Sequence, residues 1–493
     1  MAAQTIRELL LDSVKAYGDG DAFRYKVKKE IESKSYSDLK KDSERFSRLL
    51  EKKGLLGKHI ALIGSTSYAW ILSYFGIVDS GSVAVPLDAS LPCEAAAELL
   101  RRADVSALVY SDLRKDLAEA AKASCPNVTT IISMEEELFP LLAENEGSFQ
   151  AEPDPDSLCT IMFTSGTTGK SKGVMLTHRN LADNATCLDL KIPPRTVTLT
   201  VLPIHHAYCL TMDILKALSL GAIICINDSI MRVVKNMKLF KPEMTLMVPM
   251  MIETVYNKLQ DTPLIPKKLL AKEVFGGKLK TICSGGAYLN PEMVDKFEEY
   301  GIKILQGYGM TECSPVISIN PPWAINKNSV GKLLPGCKAQ IVEEEIWVKS
   351  PSVMMGYYKM PEETKETLED GWLKTGDLGY VDDEGYLYIT GRKKNLIILK
   401  NGENVSPEEI ENELSKDRLV KEILVREADG VIQAEIFPDE EYAHRKKIKD
   451  IPARLQEIVE EFNSTVPFAK QVHDLKIRET EFDKTTSKKI KRY

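Results

Sequence analysis

From residue 164 to 173 the chain reads Thr-Ser-Gly-Thr-Thr-Gly-Lys-Ser-Lys-Gly. These residue types suit one task, holding phosphate. Gly166, Gly169 and Gly173 let the backbone present its N–H groups to an anion, while hydroxyls and lysines can surround the oxygens. Thr164, Ser165, Gly166, Thr167, Thr168, Gly169 and Lys172 are therefore candidate phosphate ligands. A flexible Ser/Gly tether would read similarly, but apolar runs flank the segment at Ile161-Met162-Phe163 and Val174-Met175-Leu176, which reads as strand–loop–strand.

Other segments invite a nucleotide. Ser284-Gly285-Gly286-Ala287 follows a buried-strand pattern and offers close approach to a planar base. Tyr308-Gly309-Met310-Thr311-Glu312 sets an aromatic ring, a hydroxyl and a carboxylate within five residues. Thr375-Gly376-Asp377 supplies a carboxylate able to accept two hydroxyl protons. Gly169-Lys170-Ser171 looks like the end of a Walker A motif, but that motif needs glycine at position 164, which is Thr.

In this order, together with Gly391-Arg392-Lys393-Lys394 and Asp483-Lys484-Thr485-Thr486-Ser487-Lys488-Lys489-Ile490, the motifs resemble those of the adenylate-forming superfamily. That superfamily comprises acyl-CoA synthetases, luciferases and nonribosomal peptide synthetase adenylation domains. The likeness covers essentially the whole chain and is strongest to bacterial-type medium- and long-chain fatty acyl-CoA synthetases. It implies that Gly285, Gly286 and Ala287 lie along the nucleotide, that Tyr308 stacks on adenine, and that Thr311 binds the α-phosphate. Glu312 would hold Mg²⁺, Asp377 and Arg392 the ribose, and Lys394 the hinge; Gly402 would line the thiol channel. Lys489 would be the catalytic lysine, although Lys488 stands where the family usually has glycine.

The implied reaction has two halves. ATP and a carboxylic acid give acyl-AMP and pyrophosphate, and a thiol then displaces AMP. The resemblance makes CoA the expected acceptor, with the phosphopantetheine arm of a separate acyl or peptidyl carrier protein as the alternative. An amino-acid-activating relative would carry an acid at position 207 to pair with the substrate ammonium; Ala207 stands there, and a buried unpaired ammonium is costly. Pro203-Ile204-His205-His206-Ala207-Tyr208 instead resembles an acyl-pocket entrance, with His206, Ala207 and Gly307 at the pocket. A medium- or long-chain fatty acid is the expected substrate. An aryl acid, or an inactive nucleotide-binding relative, is the remaining reading.

The elements that position these residues follow from the rest of the pattern. The chain has 493 residues and a net charge of −7, which argues against general nucleic-acid binding. No apolar run approaches membrane-spanning length, and the first residues lack a secretion signal, so a cytoplasmic protein is expected. Nine cysteines without a C-x-x-C pair read as free thiols. His205 and His206, placed on a strand, would face opposite ways and make a poor chelate.

Strand and helix patterns alternate through residue 330, including a helix after Ser37 and strands at His59–Ile63, Leu158–Phe163 and Thr281–Cys283. Short β-like runs follow. The expected fold is α/β, with a large N-terminal domain (1–391) of layered sheets and helices and a small β-barrel-like part. A small, mobile α+β domain (392–493) carries the lysine.

Overall fold

The computed structural model describes residues 3–164, 171–260, 266–399, 403–428, 430–484 and 490–492. The chain forms a mixed α/β protein of two compact units, Met1–Lys338 with Val348–Leu373, and Ala339–Trp347 with Lys374–Tyr493.

Two sheets build the larger unit. One has seven strands in the order Gly356–Tyr357, Lys172–Thr177, Leu158–Thr164, Val83–Leu87, His59–Ile63, Val105–Tyr110 and Thr130–Ser133. Its central strands are parallel, with Ile60 opposite Ala84 and Ala107, and Leu158–Thr164 turns back antiparallel to Lys172–Thr177. The other has nine strands; Thr281–Ser284 lies parallel to Met244–Met247 and to Lys303–Gly309. Parallel strands need crossover helices on their faces, so both sides are covered and the central strands are largely apolar.

The helix Tyr68–Asp79 is buried along its whole length, Trp70, Tyr74 and Phe75 included. A helix apolar all round belongs inside rather than on a surface. Helix starts are fixed by hydroxyl caps: Ser67 accepts from the Trp70 N–H, and Ser35 forms a reciprocal capping box with Asp38. The cap is thus Ser35 rather than Ser37, because the box needs an acid three residues on and Asp38 supplies it.

The smaller unit takes the β-rich segment as an open, branched sheet. Trp372–Val381 pairs antiparallel with Leu387–Arg392, and Lys338–Val342 and Glu345–Lys349 belong to the same sheet. Further on, Val420–Ala428, Val431–Pro438 and Asp474–Ile477 form a three-stranded sheet. Helices Pro407–Leu414 and Ile451–Asn463 close its core through Ile410, Leu414, Leu455 and Val459.

One buried group makes stability depend on pH. His178 opens the helix His178–Thr186 fully buried, and neither ring nitrogen has a hydrogen-bond partner among the described residues. Burial lowers its pKa from 6.5 to about 4. Between those values the unfolded chain binds a proton that the native protein refuses, so stability falls as pH drops through this window. Urea melts should show His178→Gln losing about 2–3 kcal/mol less than wild type between pH 7 and 4.5. Equal losses would mean the imidazole takes its proton in the folded state.

Candidate active site

In the larger unit, the expected phosphate loop springs from two paired strands, with Thr164 directly opposite Lys172. Ser165, Gly166, Thr167, Thr168 and Gly169 lie outside the described residues. Alongside Lys172–Thr177 runs the short strand Gly356–Tyr357, with Tyr357 opposite Val174. This register places the Lys172 ammonium 4.7 Å from the centre of the Tyr357 ring, a cation–π distance. The phenol at the far end of that ring donates to Glu312 Oε1 at 2.8 Å. Burial, and then the Glu312 carboxylate, push the Tyr357 pKa far up, so it remains a donor.

Glu312 lies in the 3₁₀ turn Thr311–Cys313, just after the strand Lys303–Gly309. Several long-range contacts fix this turn. The Asn184 amide donates to Cys313 O at 3.2 Å and Val316 O at 2.8 Å, and its oxygen accepts from the Val316 N–H at 3.1 Å. Thr211 Oγ1 donates to Ser314 O at 2.8 Å. Gly309 has no room for a side chain, since a Cβ there would fall 2.0 Å from Pro315 O. The Tyr308 motif therefore needs its glycine for close backbone approach.

Strand Thr281–Ser284 delivers Gly285, Gly286 and Ala287 at its C-terminal end, where ligands of open α/β sheets usually bind. Gly285 is covered by the Tyr208 ring, whereas Gly286 and Ala287 are exposed. Tyr208 follows Ala207, which is buried, and His206, which is exposed. Gly307 pairs with Ile319 of the neighbouring strand.

His205 and His206 do not lie on a strand. They occupy a turn ahead of the helical segment Cys209–Lys216, and their ring centres are 4.3 Å apart. Pro203 explains the difference, because its carbonyl accepts from the His206 N–H and closes the turn. Burial first, and then His206, push His205 down to about 4. Its Nε2 is 3.7 Å from Asp88 Oδ2, while Asp88 Oδ1 accepts from the Ser90 N–H at 2.8 Å.

In the smaller unit, Asp377 is directly opposite Arg392, and Arg392 Nε reaches Asp377 Oδ1 at 2.7 Å. The Asp377 N–H donates to Thr375 Oγ1 at 3.1 Å, and that hydroxyl donates to Ile346 O at 2.7 Å. Lys394 falls in the 3₁₀ turn Lys393–Asn395. Partial burial, with Arg392 nearby, lowers its pKa. Gly402 and Lys489 lie outside the described residues. The chain is tied down on both sides of Lys489: Lys484 pairs with Glu422 and bridges Ile490, and Arg492 pairs with Glu408 and Glu411.

The AMP-binding enzyme family model matches residues 10–358, and the AMP-binding enzyme C-terminal domain model matches residues 394–493. This chain belongs to the AMP-binding enzyme family. Within that family, the long-chain-fatty-acid–CoA ligase of Bacillus subtilis is 30% identical over 477 residues, covering 86% of this chain and 82% of that one. Long-chain-fatty-acid–CoA ligase 5 of Rattus norvegicus is 29% identical, covering 79% and 68%. The ATP-bound MatB structure from Rhodopseudomonas palustris aligns with a TM-score of 0.84 at 25% identity, over 100% of this chain and 98% of that one. The chain is accordingly an AMP-forming acid–thiol ligase.

Two supporting residues of this AMP-binding enzyme escape a motif reading, Tyr357 and Asn184. Tyr357 is 45 residues from Glu312, and Asn184 is 132 from Val316. A buried aromatic in a short β run and an Asn on a helix read as packing and a polar helix face. The one available sequence signal was the Gly356-Tyr357-Tyr358 run ahead of Pro361.

The Tyr357 contact carries a prediction. Removing a hydrogen bond to a charged group costs about 1.5–3 kcal/mol. Tyr357→Phe should therefore weaken MgATP binding roughly tenfold in equilibrium titration, with folding and the affinity for the free acid unchanged. Unaltered nucleotide affinity would make the bond structural only.

Proposed function

We propose that the chain activates a medium- or long-chain fatty acid with ATP and transfers the acyl group to CoA. The observation that carries this reading is Ala207, buried and without charge where an amino-acid-activating relative would carry an acid. Asp213, on the helical segment that follows, is fully buried, and burial pushes its pKa far up. An amino acid would bring an ammonium that Ala207 cannot pair, at a desolvation cost. A hydrocarbon chain carries no charge and needs no such partner. Similarity to the Bacillus subtilis ligase supports the same acid class.

A carboxylate leaves poorly, so it must first be activated. Its oxygen attacks the α-phosphorus, and the bond to the bridging β-phosphate oxygen breaks to release pyrophosphate. In our reading the residues from Thr164 to Lys172 hold the departing phosphates, and Thr311 contacts the α-phosphate. Tyr308 stacks on the base beside Gly285, Gly286 and Ala287. Asp377 and Arg392 take the ribose hydroxyls, and Lys489 bridges the carboxylate and the α-phosphate. The charge developing at phosphorus is met by groups already in place, where positioning and electrostatics supply most of the rate. In the second half the thiol sulfur attacks the carbonyl carbon, the thiol proton is lost, and AMP departs. His206 is exposed and lines the entrance to the acyl pocket.

The residues present fit a magnesium ion. Glu312 Oε1 accepts a hydrogen bond from the Tyr357 phenol, and no group of three or more His, Cys, Asp or Glu gathers around a metal among the described residues. Mg²⁺ favours such a site, with one protein carboxylate and the remaining ligands from phosphate and water. When bound, it would neutralise phosphate charge.

The test is pyrophosphate release across C2–C18 and aryl acids, each with and without CoA. CoA-dependent turnover that peaks among C8–C16 acids is expected. A peak on benzoate-type acids would replace the fatty acid by an aryl acid. Adenylation with no transfer to CoA would move the acceptor to a carrier protein.

A further inference from the structure

The chain is acidic overall, yet one face of its larger unit is strongly basic. Residues 228–241 and 266–280 hold nine Lys and Arg against two acids, a net charge of +7 on a chain of net −7. The first segment forms the turn Ile230–Arg232 and helix Val233–Phe240, and the second carries helix Lys267–Phe275. The two are packed backbone to backbone, since a Cβ on Gly276 would fall 2.2 Å from Met237 O. Asn236, Met237 and Phe240 face inward, and the other side looks out to solvent.

That outward side is not merely polar. Met231 is 90% exposed, Ile230 66% and Leu269 53%, with Val234 and Leu239 exposed beside them. Among the basic residues, Arg232 pairs with Asp228 at 2.7 Å, Lys238 with Glu273 at 3.4 Å and Lys280 with Glu243 at 3.0 Å, and Lys267 pairs with Glu299. Lys235, Lys241, Lys272 and Lys278 make no ion pair among the described residues. Bare apolar side chains ringed by uncompensated ammonium groups leave apolar area in water while concentrating positive potential around it.

We propose that this face docks on an anionic lipid surface. Met231, Ile230 and Leu269 enter the headgroup–acyl boundary, and Lys235, Lys241 and Lys272 meet lipid phosphates. This combination of exposed apolar residues flanked by lysines suits an interface between water and acyl chains. Charge complementarity selects the occupant, because lipid phosphates match the ammonium groups of Lys235, Lys241 and Lys272, which make no ion pair among the described residues. A side chain as exposed as Met231 also stands clear of its neighbours, which a fluid surface can envelop without a matching cleft. In the fatty-acid reading, on which the biological use of this face rests, the surface is also where the acid substrate resides.

The test is sedimentation with vesicles of phosphatidylcholine alone and with 30% phosphatidylglycerol, at low and high salt. Binding is expected only to the anionic vesicles, and it should weaken as salt screens the lysines. Met231→Glu with Ile230→Glu, and separately Lys235→Glu with Lys241→Glu, should each weaken it at least tenfold. Both pairs should leave thermal melting and turnover of a soluble C8 acid unchanged. Equal binding to both vesicle types, no binding by wild type, or variants that bind like wild type would each overturn the proposal. So would a dimer dissolved by Met231→Glu, or saturable binding of purified acyl carrier protein, in a chain that ignores vesicles. Turnover of the soluble acid is scored without vesicles, so failure of the fatty-acid reading is seen separately.

Discussion

Lys489→Ala should abolish formation of acyl-AMP while leaving thioester formation from supplied acyl-AMP nearly intact. The first half-reaction brings two anions together, carboxylate and α-phosphate, and builds further charge on the phosphorus. A single ammonium able to touch both is worth about 10²–10³ in rate, by analogy with removal of one stabilising donor elsewhere. The second half-reaction joins a thiol to a carbonyl and has no such pair of anions. The ion pairs of Lys484 and Arg492 fix the chain ahead of and beyond both Lys488 and Lys489. Lys488 is the internal control. If pyrophosphate exchange survives Lys489→Ala but is lost in Lys488→Ala, the amine has been assigned one residue too late. If both half-reactions survive both changes, the C-terminal lysine reading fails altogether.

The order of motifs along the chain was legible because each is local. Strand, glycine turn and polar residue follow one another within ten positions, so Thr164–Gly173 and Tyr308–Glu312 announce themselves without tertiary information. What holds them in place is not local. Asn184 clasps the Glu312 turn from 132 residues away, and Tyr357 links Glu312 to the strand that begins at Lys172. No periodicity reports such a contact. The cross-strand pairing of Asp377 with Arg392 was half legible: both residues were singled out, but their 2.7 Å ion pair depends on antiparallel register.

At His205-His206 the strand placement gives way to a turn for a related reason. Pro203 closes that turn, which brings together two rings that a strand would separate. The helix start at Ser35 was missed because two serines stand near the boundary, and only Ser35 has an acid in the right place to complete the box. Fold class, by contrast, needed only the alternation of apolar strands with amphipathic helices, a pattern that survives errors of two residues at every boundary.

Lys394→Pro should have the opposite effect to Lys489→Ala: adenylation retained, thioester formation reduced on the order of 10²-fold. Lys394 falls within a 3₁₀ turn, and its predecessor Lys393 opens that turn. Proline fixes its own φ and drives the preceding residue towards extended backbone, which removes the freedom a hinge requires. The ammonium itself is a weaker candidate for the hinge function, since partial burial, with Arg392 close by, already disfavours its charge. Lys394→Ala, which deletes the ammonium and keeps the backbone free, should therefore retain most thioester formation. The pair of variants separates backbone from side chain. Loss with Pro alone supports a hinge, whereas equal loss with Pro and Ala would assign the effect to the charge. Thioester formation untouched by Pro would remove the hinge from position 394. Because a misplacement of about 1 Å can cost 10²-fold, the half-reactions must be measured separately; the overall rate would report either failure as the same loss.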